Sequence, residues 1–307
     1  MKIAFFGLPL AALLLHADGH AIELAVLSPI DAPGRRRLRR TLGDANVVDA
    51  LAHQKRLDAR VDNMLSARDF DVLVSWFWTR KLPLRWLQKG RHRPMGVHPS
   101  LLPRHRGPNP FFWAIDSGDE RTGVSVHVLE AEYDTGDVLA RRELTVGERN
   151  AWQLARALDR PSLSLLRDVV ARLARGETLV AEPQDEAQAS WAREPDAELL
   201  RVDFGWTTER VLRRVRALSP VPGLALELEG QSFFVTGAER ATHYPTALAA
   251  GEAAAVGSAR DELVIRTGDG AIRVKSAVAG VSGGLPEGTS LPVSALAELV
   301  ATRNRAV

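Results

Sequence analysis

The run Asp71-Val72-Leu73-Val74-Ser75-Trp76 constrains this chain more than any other feature. It is apolar with almost no alternation. A strand of that kind is covered on both faces, which is how strands of a parallel sheet between helices read. The surrounding pattern agrees. Short strands are predicted over 2–6, 23–27, 70–77, 122–130 and 141–146. Helices are predicted over 10–15, 44–55, 82–87, 110–116 and 151–175, the last with a kink expected at Pro161. Strands alternating with helices predict an α/β domain with a mainly parallel sheet. Ligands of such sheets sit at the carboxyl ends of strands. The loops after residue 78, from Gly96 and after Leu129 are therefore expected to converge.

The amino-terminal residues allow two readings. Met1-Lys2 followed by an apolar run to Leu15 resembles a signal peptide, but Gly7-Leu8-Pro9 interrupts it early. A buried first strand, a turn and a helix is the better reading. No other stretch approaches the ~20 apolar residues of a membrane span. With 307 residues the chain is long enough for two domains. Cysteine is absent, which excludes disulfides and cysteine metal sites. The 40 basic and 38 acidic residues nearly cancel, so any nucleic-acid contact must come from a local patch. The eight histidines do not group at metal-ligand spacing, and Gly7-Leu8-Pro9 lacks the spaced glycines of a dinucleotide site.

Beyond residue 180 the pattern changes. Residues 181–203 are polar and proline-punctuated and read as an extended linker wrapping the first domain, 1–180. A helix is expected over 207–217 with Thr207 as its N-cap. Short strands with glycine turns follow around 224–229, 232–236, 255–258, 262–266 and 272–277, which predicts a small β-barrel over 204–307.

The chemistry-bearing stretch is Gly96-Val97-His98-Pro99-Ser100-Leu101-Leu102-Pro103-Arg104-His105-Arg106-Gly107. Two prolines make it a rigid loop rather than a helix, and a rigid loop carrying a histidine suits catalysis. With Trp113-Ala114-Ile115, Gly118-Asp119, Thr122-Gly123-Val124 and Asp134-Thr135-Gly136-Asp137, it closely resembles the formyltransferases that use 10-formyltetrahydrofolate. Phe204-Gly205-Trp206, Val215-Arg216-Ala217-Leu218-Ser219-Pro220-Val221-Pro222-Gly223 and Gln188-Ala189-Ser190-Trp191-Ala192 resemble the methionyl-tRNA branch of that family.

The resemblance implies a Rossmann-like formyl-transfer domain followed by a small OB-like barrel that contacts tRNA. It implies His98 and Asp134 as the catalytic pair, because transfer to an amine needs a proton taken from the attacking nitrogen and one given to the leaving nitrogen. It implies a folate pocket around Phe77, Trp78, Leu82, Glu132 and Asp134, although Trp76-Phe77-Trp78 is bulkier than the family's usual pair. It implies a tRNA contact at Arg35, Arg36, Arg37, Arg39 and Arg40, the place of a basic loop in relatives; the plain reading of such a run is a solvated face. The expected setting is a cytoplasmic monomer acting on charged initiator tRNA, or on a small amine, with no membrane partner and no metal.

One departure stands out. The family pattern is Asn-x-His, and here the first position is Gly96. Losing one oxyanion donor costs about 2.7–4 kcal/mol in other enzymes. A backbone N–H, a water or the amide of Asn109 are candidate substitutes. The alternatives are a divergent enzyme formylating a sugar or other small amine, and a non-catalytic folate- or RNA-binding protein.

Overall fold

The computed structural model describes residues 1–50, 54–228, 230–280 and 286–303. The chain packs as two compact units. The first comprises Met1–Pro110, Thr122–Leu144 and Ala157–Ala192, and the second Phe111–Arg121, Thr145–Arg156 and Arg193–Val307.

The elements up to residue 174 are β1 (Lys2–Gly7), α1 (Pro9–Ala17), β2 (Ala21–Leu27), α2 (Arg35–Leu42), β3 (Val47–Asp49), α3 (Gln54–Ser66), β4 (Val72–Trp76), α4 (Leu84–Leu87), β5 (Met95–His98), α5 (Pro110–Asp116), β6 (Arg121–Val128), β7 (Val138–Thr145) and α6 (Ala151–Ala174). Seven strands form one sheet in the order β3-β2-β1-β4-β5-β6-β7. The pairs β1–β2, β2–β3, β1–β4 and β4–β5 are parallel, and β5–β6 is antiparallel. This is the Rossmann-like, mainly parallel sheet that the alternation predicts. Every residue of β4 is buried, as its unbroken apolar run requires. Ile3, Ala4, Phe5 and Phe6 of β1 are fully buried, and Phe6 stacks on Trp86 at 5.6 Å and meets Trp78 edge-on at 5.4 Å. Burying one such ring is worth about 1.5–3 kcal/mol. Gly7 ends β1 at φ 141°, and a Cβ there would lie 1.8 Å from the carbonyl oxygen of Trp76. Only glycine lets these two strand ends come so close.

One local expectation changes. Residues 44–55 are not one helix: a 3-10 turn at Asp44–Asn46 leads into β3, and helix resumes at Gln54; residues 51–53 lie outside the described residues. Val47 and Val48 are β-branched, buried, and paired with Ala25 and Val26, so completing the sheet edge outweighs the local helical pattern. Helix α6 runs continuously through Pro161.

The second unit adds α7 (Thr208–Leu218), β8 (Leu224–Leu228), β9 (Gln231–Arg240), β10 (Ala253–Val256), β11 (Glu262–Arg266), β12 (Ala271–Gly280), β13 (Pro286–Leu291) and α8 (Val293–Arg303). Its antiparallel sheet has the order β10-β11-β12-β9-β8, with β13 branching from β12, in keeping with a small OB-like domain. The sequence reading did not anticipate β13 or α8. Thr207 caps α7 as expected, its Oγ1 accepting from Arg210 N at 3.3 Å. One ion cluster lies inside this unit. Asp116 accepts from Arg214 Nε at 2.6 Å and from Arg210 Nη1 at 2.6 Å. Burial alone would push the Asp116 carboxyl up, but the two guanidiniums win and hold it below the usual range.

Candidate active site

Residues 96 and 98 of a strand project to the same face. On the antiparallel partner β6, His127 lies directly opposite Gly96, and Ser125 opposite His98. The three side chains of His98, Ser125 and His127 therefore share one buried face. The reading placed Asp134 at a carboxyl-end loop beside His98. Because β6 is antiparallel, the chain leaves it next to the start of β5, where Leu129 N donates to Pro94 O. The segment then folds back across the face and brings Asp134 to the end of β5.

There the Asp134 carboxylate is held between two imidazoles. His98 Nδ1 is 3.4 Å from Oδ2, and His127 Nε2 is 3.5 Å from Oδ1. Gly107 N donates to Oδ2 at 2.9 Å. The remaining ring nitrogens meet main-chain carbonyls, His98 Nε2 with His105 O at 2.7 Å and His127 Nδ1 with Val128 O at 2.9 Å. A carbonyl oxygen only accepts, so these contacts place a hydrogen on His98 Nε2 and on His127 Nδ1. Both nitrogens facing Asp134 are then free to take a proton. Burial lowers the pKa of His127; Asp134 pulls it upward, and His98 and Arg106 lower it further.

A second layer fixes the carboxylate. Arg106 is buried and donates to Gln184 Oε1 at 2.9 Å and to Glu186 Oε1 at 2.7 Å. Gln184 Nε2 in turn donates to Asp134 O at 2.8 Å and to Gly136 O at 2.7 Å. Ser190 Oγ accepts from His105 N, and Ala192 O from Asn109 N. These bonds lay residues 184–192 as a strap over the histidine loop.

Gly96 has no side chain to offer. A Cβ built there would lie 2.6 Å from Leu129 Cδ2, 3.3 Å from Leu129 Cγ and 3.5 Å from His127 Nε2. The atoms nearest that position belong to Leu129 and His127, not to Asn109.

The segments expected to hold folate meet through Lys81, which is 2.9 Å from Glu132 Oε2 and 5.4 Å from the Tyr133 ring centroid. Trp76 is core, with Nε1 donating to Ser162 Oγ at 3.0 Å. Phe77 adopts φ 55°, a left-handed conformation that favours a smaller residue. Trp78 Nε1 is buried with no partner among the described residues, an unspent donor in this segment. A cavity of about 400 Å³ opens nearby, lined by Leu84, Leu87 and Gln88 on one side and Leu129, Glu130 and Ala131 on the other. Its size suits a small heterocycle, while Phe77, Trp78, Leu82, Glu132 and Asp134 are not in its lining.

The basic run is helix α2 rather than a loop, and it divides in two. Arg35 Nη1 and Arg39 Nη2 clamp Asp49 at 2.5 and 2.6 Å. Arg36, Arg37 and Arg40 are exposed, with no ion pair among the described residues.

His127, Gln184 and Arg106 were not singled out in the sequence. The available signal for His127 was a histidine inside the apolar strand Val124-Ser125-Val126-His127-Val128.

Fold and site define a transferase built on a Rossmann-like sheet, with an OB-like companion domain. Residues 1–164 match the formyl transferase family, and residues 196–280 match the formyl transferase C-terminal domain. The chain belongs to this family, whose formyl donor is 10-formyltetrahydrofolate. It is 35% identical over 282 residues to a methionyl-tRNA formyltransferase of Novosphingobium aromaticivorans, covering 89% of this chain and 90% of that one. It is 34% identical over 245 residues to a methionyl-tRNA formyltransferase of Anaeromyxobacter dehalogenans strain 2CP-1, covering 76% of this chain and 78% of that one. Among solved structures, WlaRD, a sugar 3N-formyltransferase, superposes with a TM-score of 0.66 at 13% identity, covering 89% of this chain and 96% of that one. HypX from Aquifex aeolicus in complex with tetrahydrofolic acid gives 0.64 at 23% identity, covering 89% of this chain and 46% of that one.

Proposed function

We propose that the chain transfers the formyl group of 10-formyltetrahydrofolate to the amino group of a methionyl-tRNA in the cytoplasm. Residues 1–180 carry the transfer, 181–203 link, and 204–307 contribute to acceptor binding. The observation that carries this reading is the double imidazole grip on Asp134, a proton-exchanging centre. The matched C-terminal domain supports the tRNA acceptor. So do Arg36, Arg37 and Arg40, an exposed cationic group fit for phosphates.

In this reading the amine attacks the formyl carbon as the neutral base. His98 and Asp134 take its proton and return one to the leaving nitrogen. A second reading, a small amine such as an amino sugar, is favoured by α2 being a short helix tied to Asp49 rather than a reaching loop. A third, binding without catalysis, is favoured by Gly96. One experiment separates them: purified protein with 10-formyltetrahydrofolate and either charged initiator tRNA or a panel of amino sugars. Formyl-methionyl-tRNA supports the first reading, a formylated sugar the second, and no product with either the third.

A further inference from the structure

We propose that His127 belongs to the transfer centre as a positioning residue, forming with Asp134 and His98 one proton relay. This rests on the formyl-transfer reading. Three observations carry it. His127 is directly opposite Gly96 in the β5–β6 register, so a side chain on residue 96 would stand over the imidazole. Its Nε2 is 3.5 Å from Asp134 Oδ1, matching the 3.4 Å approach of His98 to the other oxygen. Its Nδ1 is anchored to Val128 O, which turns the Nε2 lone pair toward the carboxylate.

The three groups need a shared proton. With hydrogens on His98 Nε2 and His127 Nδ1, an ionised Asp134 would face two lone pairs. One proton distributed over His98 Nδ1, the carboxylate and His127 Nε2 removes that repulsion. The ionisable groups facing His127 are Asp134, His98 and Arg106. Burial of His127 disfavours its charged form, and His127 acts through Asp134. In the transfer, the amine nitrogen forms a bond to the formyl carbon and the bond from that carbon to the folate nitrogen breaks. One proton leaves the amine for the relay, and one passes from the relay to the folate nitrogen, so the relay ends as it began.

The test has two arms. In the first, histidine resonances are titrated by NMR in the wild type and in Asp134→Asn, without any substrate. Loss of the carboxylate, which raises the His127 pKa, should lower the His127 midpoint. A His127 titration indifferent to Asp134→Asn overturns the relay, whether or not the protein is active. In the second, formyl transfer is followed against pH in the acceptor assay. His127→Ala should lower kcat at least about tenfold and displace the acid limb of the profile, with KM for the donor little changed. An unchanged kcat and profile in His127→Ala overturns the proposal. A wild type that formylates no acceptor rejects the transfer reading instead, and leaves the NMR arm to decide the relay.

Discussion

Gly96 and His127 are paired face to face across β5 and β6, and Leu129 fills the room that a side chain on residue 96 would use. Gly96→Ala sets a methyl group 2.6 Å from Leu129 Cδ2, and that flexible end must shift. The expected cost is about 1 kcal/mol, the low end for overpacking. Urea unfolding with an unchanged midpoint would contradict the tight packing described.

Removing the imidazole of His98 should lower kcat by about 10²–10⁴-fold while leaving donor binding intact. His98→Gln is the variant of choice. Donor affinity by calorimetry, set beside turnover, separates this outcome from misfolding. A turnover within twofold of wild type would remove His98 from the chemistry.

Stability should fall with acid in two separate windows. The His127 pKa is lowered by burial, so the unfolded chain binds the proton more readily, and folding stability present above pH ~6.5 is lost as pH falls below it. His20, also lowered by burial, contributes in the same range. The Asp116 carboxyl is lowered, and its contribution is lost only as pH falls below ~3.8. Thermal melts of His127→Met between pH 7 and 5 should be flatter than wild type. An identical slope would refute this account.

Asp116→Ala leaves the Arg214 guanidinium buried without its carboxylate. Breaking a buried pair in this way costs about 3–5 kcal/mol. Denaturant unfolding of the whole chain gives the number, and a loss below 1 kcal/mol would contradict it.

The two halves of the basic run should behave differently. Arg36, Arg37 and Arg40 changed together to Gln should weaken tRNA binding and flatten its salt dependence, with little effect on melting. Arg39→Gln, which removes one of the two guanidiniums clamping Asp49, should lower the melting temperature instead. Equal effects of both variants on binding would undo the division.

Legibility in the sequence followed locality. The doubly buried β4, the His98 loop and the Asp-Thr-Gly-Asp turn are each coded by adjacent residues, so they could be read directly. The β5–β6 register could not, because nothing near Gly96 says which residue of another strand will lie opposite. That is why His127 was missed although its strand was found. The helix predicted over 44–55 failed for a related reason: Val47 and Val48 take their conformation from β2, more than 20 residues away. Gln184 looked like linker polarity, since its role comes from two carbonyl oxygens on a distant loop.

The strap between Gln184 and Ala192 sets the smallest piece of this protein that can be moved intact. A fragment ending at residue 164, where the first family match stops, would contain both histidines and the carboxylate. It would lack the amide that grips the Asp134 segment and the backbone that docks on Arg106. Grafting, splitting or circularly permuting this unit therefore has to carry the chain through Ala192, because the two histidines and the carboxylate are encoded early and their alignment is encoded late.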